Sequence, residues 1–333
     1  MSPRIFIPCR PPRSRLTGWP ASAVLLVAWA SVTVTGALCA QAIGPDSPQP
    51  TLRQVMARVG RYVQDYGDQL AVVIAVEQYA QQADKPFGPT RRLVSEIALV
   101  RLNDDWMGFR DVQEVDGKRI ADRADRLRKL FTESPGIALE QGRRLADESA
   151  RYNLGAIQRN FNTPTTTLLF MQASNQARFR FTKDREEQVD GVLAWRIRYE
   201  ETQQPTLIRT PNGHNRPVKG TLWVNPIDGR VYRTDMEIDA DSRSARDDAA
   251  HPDSSAERRS ASIRAVVSVR YQEDPQLHLL VPAEMQELYV GPSTGGASDT
   301  KAPAGSTTIT CRAVYTDFKR FETSGRLILP KMP

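Results

Sequence analysis

The stretch Leu193-Ala194-Trp195-Arg196-Ile197-Arg198-Tyr199 decides the fold. Its large apolar residues fall on every second position and its arginines between them. That is the period of two expected when one face of a strand is buried and the other is wet. Working outward, Tyr232, Thr234, Met236 and Ile238 alternate with Arg233, Asp235, Glu237 and Asp239 in the same way. So do Ile263, Ala265, Val267, Val269 and Tyr271 against Ser262, Arg264, Ser268 and Arg270. A last strand over Thr308 to Phe318 puts Ile309, Cys311, Ala313 and Tyr315 on one face, which makes Cys311 a small buried apolar group rather than a reactive thiol. The Asp228-Gly229 step supplies the positive φ that a tight hairpin needs.

Upstream the order changes. Thr51 is placed to cap a helix in which Leu52, Val55, Val59, Tyr62, Tyr66 and Leu70 form one apolar stripe. A strand from Ala71 to about Tyr79 follows, then the loop Ala83 to Pro89. Strands over Arg92 to Leu102 and Trp106 to Val115 come next, joined by Asn103-Asp104-Asp105. Two helical stretches, Asp122 to Phe131 and Ile137 to Tyr152, are separated by Ser134-Pro135-Gly136. The fold class read from this order is α+β: a strongly curved antiparallel β-sheet, an incomplete barrel, with an N-terminal helix and a helical insertion at 121–152. Residues 240–261 and 291–307 lack apolar periodicity and read as mobile hairpin loops.

The first residues carry Arg4, Arg10, Arg13 and Arg15 and no acid, and an uncharged apolar run from Ala21 to about Leu38 follows. This is the order of a secretory signal, with Ala40-Gln41-Ala42 as the cleavage site. The domain plan is therefore a signal peptide at 1–42, a flexible lead-in at 43–50 and one β-rich domain at 51–333. The protein is expected in the periplasm or cell envelope, with an uncleaved N-terminal membrane anchor as the alternative. Leu38 before Cys39 argues against lipidation.

Loss of residues 1–42 removes four of the 45 basic residues and none of the 39 acidic ones, leaving 41 against 39. A near-neutral chain gives no electrostatic reason to expect nucleic acid as a partner. Cys311 is then the sole cysteine, so no disulfide forms within one molecule and the core must supply the stability.

The residues offer no catalytic centre. There is no G-x-S-x-G elbow, P-loop, G-x-G-x-x-G after a strand or EF-hand loop. His214, His251 and His278 lie apart from one another and from Cys311, so neither a metal nor a cofactor is expected. The acidic pairs Asp104-Asp105, Glu186-Glu187, Glu200-Glu201 and Asp247-Asp248 sit at turns, strand ends or loops, where solvated carboxylates are ordinary. The aromatic residues Trp106, Phe109, Phe170, Phe179, Phe181, Trp195 and Trp223 remain. They are either sheet core or the lining of an apolar cavity between a concave sheet and its helices.

Three groups of residues carry a resemblance. Ser95-Glu96-Ile97-Ala98-Leu99-Val100-Arg101-Leu102, then Trp106-Met107-Gly108-Phe109-Arg110 and Val115-Asp116-Gly117-Lys118, form an early strand pair and turn. Gly220-Thr221-Leu222-Trp223-Val224-Asn225-Pro226 with Asp228-Gly229-Arg230-Val231 forms a later hairpin. Val281-Pro282-Ala283-Glu284-Met285 and Thr316-Asp317-Phe318-Lys319 close the sheet. In this order they resemble the LolA/LolB-like outer-membrane lipoprotein-sorting fold, an incomplete β-barrel whose mouth is plugged by helices. The resemblance implies a lipid or acylated ligand held in a concave apolar cavity. A non-enzymatic structural or interaction module with an envelope protein partner is the other reading.

Overall fold

The computed structural model describes residues 49–69, 72–84, 87–102, 105–123, 125–133, 138–155, 163–209, 213, 215–238, 263–292 and 306–320. The chain starts with α1 (Leu52–Gln69), then β1 (Val72–Ala83), β2 (Thr90–Leu102), β3 (Asp105–Val115) and the short β4 (Lys118–Arg119). The helical pair α2 (Arg126–Glu133) and α3 (Ala138–Ala150) follows, then the short helices α4 (Thr166–Phe170) and α5 (Ala173–Gln176). The rest is β5 (Phe179–Val189), β6 (Val192–Glu201), β7 (Ile208–Arg209), β8 (Asn215–Arg216), β9 (Val218–Val224), β10 (Val231–Ile238), β11 (Arg264–Asp274), β12 (Leu279–Pro292) and β13 (Ser306–Arg320).

Eleven of these strands form one antiparallel sheet in the order β4-β3-β2-β1-β13-β12-β11-β10-β9-β6-β5. It is open, with β4 and β5 at its edges. An antiparallel sheet of this width curls rather than lying flat, and its inner face carries the core. Val73, Ala75 and Tyr79 of β1, Ile97 of β2, Ile197 and Tyr199 of β6, Met285 of β12 and Ala313 of β13 all belong to one buried cluster with α1.

Helix α1 starts in a capping box. Gln54 N–H donates to Thr51 Oγ1 at 3.3 Å, and Thr51 N–H donates to Gln54 Oε1 at 2.8 Å. Val55, Val59, Val63 and Tyr66 point into the sheet. The helix rests on the β9–β10 turn, where Arg58 donates to the Pro226 carbonyl. Gly229 has φ +81 there, and an added Cβ would lie 2.4 Å from the Arg58 carbonyl carbon. Turn geometry and helix docking therefore both demand glycine.

Several boundaries differ from the sequence reading. β1 runs on to Ala83 because Gln81, polar yet buried, takes the Leu154 N–H at 2.9 Å and donates to the Tyr152 carbonyl at 3.2 Å. β13 continues to Arg320 through a bulge. Asp317, at φ +54, and Phe318 stand against Ala75 alone, which moves Phe318 onto the opposite parity. Leu193 is exposed at the tip of the β5–β6 hairpin, although alternation put it on the buried side. The charged run of β5 is an edge strand whose pairing slips at Asp184; charge and a bulge together blunt an edge against foreign strands. Residues 291–292 and 306–307, expected in a loop, are paired across β12 and β13. The expected loop 240–261, and 293–305 of the other, lie outside the described residues, as does the signal segment.

Candidate ligand site

The inner face is closed over by residues 163–176. The apolar run Leu168-Leu169-Phe170-Met171 folds as one helical turn, with Leu168, Phe170 and Met171 fully buried. The run is too short to stand alone as a helix, so its surroundings hold it. Tyr271 donates its hydroxyl to the Pro164 carbonyl at 2.6 Å. Asn175 donates to the Leu169 carbonyl at 2.9 Å, and Gln176 Nε2 is within 2.9 Å of both the Met56 and Met171 carbonyls.

Beside this segment lies an aromatic wall. Phe170 and Phe179 stack with ring centroids 5.9 Å apart, Phe179 meets Tyr199 edge-on at 5.8 Å, and Phe181 lies 6.1 Å from Phe179. Trp195 shares the face, with the Lys183 ammonium 3.6 Å above its ring. Burial drives the Tyr199 and Tyr271 hydroxyls upward, so both stay neutral hydrogen-bond donors.

The other half of the inner face is polar. Glu77, fully buried, pairs with Arg110, whose Nη2 lies 2.7 Å from Oε1 and whose guanidinium sits 5.0 Å from the Tyr79 ring centroid. Burial opposes the charge on Arg110, but Glu77 more than restores it. Glu287 accepts from Tyr79 at 3.2 Å and from Tyr289. Buried carboxylates of this kind need donors on every side. Their residue type does not mark Glu77 or Glu287 as buried. Their signal is parity alone: Glu77 lies two residues from Tyr79, and Glu287 two from Tyr289.

Of the seven aromatic residues singled out from the sequence, Phe170, Phe179, Phe181 and Trp195 come together on the inner face. Phe109 and Trp223 do not, and the expectation that they line the same cavity is corrected. Phe109 faces outward, 1% exposed, beneath Gly142 of α3, where an added Cβ would come within 2.7 Å of its ring. Trp223, 4% exposed, also faces outward, with the guanidiniums of Arg233 and Arg196 at 4.4 and 5.7 Å from its centroid. Trp106 lies in β3, and its side chain is outside the described residues. Among the acidic pairs, Glu201 is structural: it accepts the Leu207 N–H at 2.8 Å and the Val218 N–H at 3.4 Å.

A recess of about 1410 Å³ opens on the outer face, over β1, β2 and β11–β13. Val94, Val266, Leu288 and Val314 form part of its floor, with Arg92 and Arg312 among its other lining residues. The expected apolar cavity was on the other face. There, among the described residues, the aromatic side chains pack against one another and share one buried cluster with α1 and α4. Among the described residues no helix is long and apolar enough to cross a membrane, and no three metal-ligating side chains converge.

No family model matches the chain, and no curated protein matches it. Its fold is similar to that of three solved structures. One is a putative outer membrane lipoprotein-sorting protein domain from Vibrio parahaemolyticus, 9% identical over 80% of this chain and 92% of that one, with a TM-score of 0.37. Another is a LolA superfamily protein from Nitrosomonas europaea, 10% identical over 82% and 94%, TM-score 0.29. The third is a DUF1329 family protein from Desulfovibrio piger, 9% identical over 82% and 94%, TM-score 0.33. At these scores no site and no ligand is carried across.

Proposed function

We propose that this is an exported, non-enzymatic binding protein of the cell envelope. Its ligand is a lipid or another acylated molecule, taken up on the inner face of the sheet where residues 163–171 now lie. One observation supports this reading. The inner face is filled by a short segment that contributes a Leu, a Phe and a Met to an aromatic wall and accepts side-chain bonds at its backbone carbonyls. Such a segment can leave without dismantling the sheet. An acyl chain of similar girth would then take over its contacts with Phe179, Tyr199 and Trp195.

Export rests on the basic, apolar and small-residue order of residues 1–42, with cleavage after Ala42.

Native mass spectrometry of the mature protein purified from envelope, with organic extraction of what it carries, tests the reading. A near-stoichiometric acyl species is the expected result. The delipidated protein should also bind cis-parinaric acid, and the double variant Leu168→Ala, Met171→Ala should bind it more tightly. If neither protein binds the probe and a partner chain is retained instead, the carrier reading is wrong and an interaction module takes its place.

A further inference from the structure

A second electrostatic unit lies on the outer face, under the α2–α3 hairpin. Asp111 of β3 is fully buried. It lies 3.2 Å from Arg123 Nη1 and 3.6 Å from Arg126 Nε. Both arginines continue to Glu148 of α3, Arg126 at 3.1 Å. The cluster thus ties the turn before α2, and both helices, to one carboxylate in the sheet. Ser149 adds a tie to the strand's free edge: its hydroxyl donates to the Arg110 carbonyl at 2.8 Å and accepts the Val112 N–H at 3.3 Å.

Glu96 of β2 stands directly opposite Asp111. Like charges in that register repel. Glu96 has no share in the arginine cluster, and its Oε2 is buried with no hydrogen-bond partner among the described residues. The charged groups facing it are Asp111 from β3, Asp125 from the turn, Arg128 from α2 and Lys319 from β13; Arg123, Arg126 and Glu148 lie behind Asp111. Burial raises the Glu96 carboxyl, Asp125 and Asp111 add to the effect, and Lys319 and Arg128 oppose it. Burial likewise raises Asp111 against the pull of Arg126 and Arg123.

We propose that the α2–α3 hairpin is an acid-strengthened cover, in which one proton taken up by the Glu96–Asp111 pair relieves the repulsion beneath it while Asp111 keeps its arginines. A carboxyl whose pKa is raised on folding favours the folded form as the pH falls toward that pKa, and the advantage is lost as the pH rises through it. The hairpin therefore holds Phe109 and the β3 edge more tightly in mild acid than at neutral pH.

Hydrogen exchange of the mature protein at about pH 7.5 and about pH 4.5, corrected for intrinsic exchange, measures the opening of 126–133 and 138–150 relative to β12. In the wild type this opening should fall about two- to fivefold in acid, the size expected for relieving one like-charge pair. Glu96→Gln should sit at the low, acid level at both pH values, and Asp111→Asn should open more at both. A wild-type ratio that does not change with pH, or a Glu96→Gln protein that keeps the full wild-type pH response, would overturn the proposal. Protection in β12 reports separately whether each variant is folded.

Discussion

The two flanks of the outer face hide an aromatic ring from water by different means. On β3, Phe109 lies under helix α3, with Gly142 giving the close approach and a buried ion cluster locking the helix down. On β9, Trp223 is roofed by Arg233 and Arg196, which pair with Asp235 and Asp184, both at 3.2 Å. The first ring is covered by another layer of the fold. The second is covered by side chains whose far sides are in water. A ring hidden on a sheet is therefore not necessarily part of the main core, and its cover decides how its contribution answers to mutation, salt and pH.

The largest effect should come from emptying the helix-covered site. Phe109→Ala should cost about 3–5 kcal/mol in urea unfolding, and Trp223→Ala only about 1–2 kcal/mol, because two cation–π contacts replace dense packing. Equal costs would erase the distinction between the flanks. Next, Asp111→Asn should cost about 1–3 kcal/mol, since it takes from the buried Arg123 one of its two carboxylate partners and leaves it Glu148 alone, and this loss should change little with salt. Arg233→Ala, by contrast, should cost less than about 1 kcal/mol and shrink further as salt screens the exposed pair. A salt-dependent Asp111→Asn deficit would mean that the cluster is wetter than the geometry implies.

The smallest effect is one of pH. Glu284, on the outer face, is held below the usual carboxylate range by the hydrogen bond from Arg312, at 2.7 Å, and then by Gln286. Its stabilisation is present above the unfolded pKa and lost as the pH falls through the lower folded value. Glu284→Gln should therefore lose less than about 1 kcal/mol near neutral pH, and the deficit should vanish in acid when both proteins are unfolded by urea. A deficit that persists below the carboxylate range would mean that Glu284 acts through packing rather than charge.

Much of the sheet was legible from the chain. β6, β10, β11 and β13 bury most of the residues that alternation assigned to them, because a sheet with one covered face enforces a period of two; Leu193 at a hairpin tip is exposed, and Tyr232, at a slip in the β9–β10 pairing, and Ile263, just before β11, are half-buried. The first helix was legible through Thr51 and its apolar stripe. The candidate site was legible only in part. Phe170, Phe179, Phe181 and Trp195 do share a face, while Phe109 and Trp223 turned out to face the other way. Within β3, Phe109 has the parity of Asp111, and Arg110 that of the inner face. No local rule says which parity meets the core until the strand's pairing partners are known.

The buried charges were the least legible. Glu77, Asp111, Glu201 and Glu287 are of a residue type that ordinarily faces solvent, and the one local sign otherwise is parity, which Glu77 shares with Tyr79, Glu201 with Tyr199 and Glu287 with Tyr289. Each is buried because donors from other segments meet it: Arg110 across two strands for Glu77, Arg123 and Arg126 before and in α2 for Asp111, the Leu207 and Val218 N–H groups for Glu201, and Tyr79 from more than two hundred residues away for Glu287. The sequence by itself determined the class of fold, the covered and wet sides of most later strands, the capped first helix and the marks of export, because each depends on neighbours a few residues apart. Only the tertiary structure decided which face each aromatic ring serves, what fills the inner side of the sheet and which carboxylates are buried. Those depend on register and on contacts between distant residues, which local periodicity does not encode.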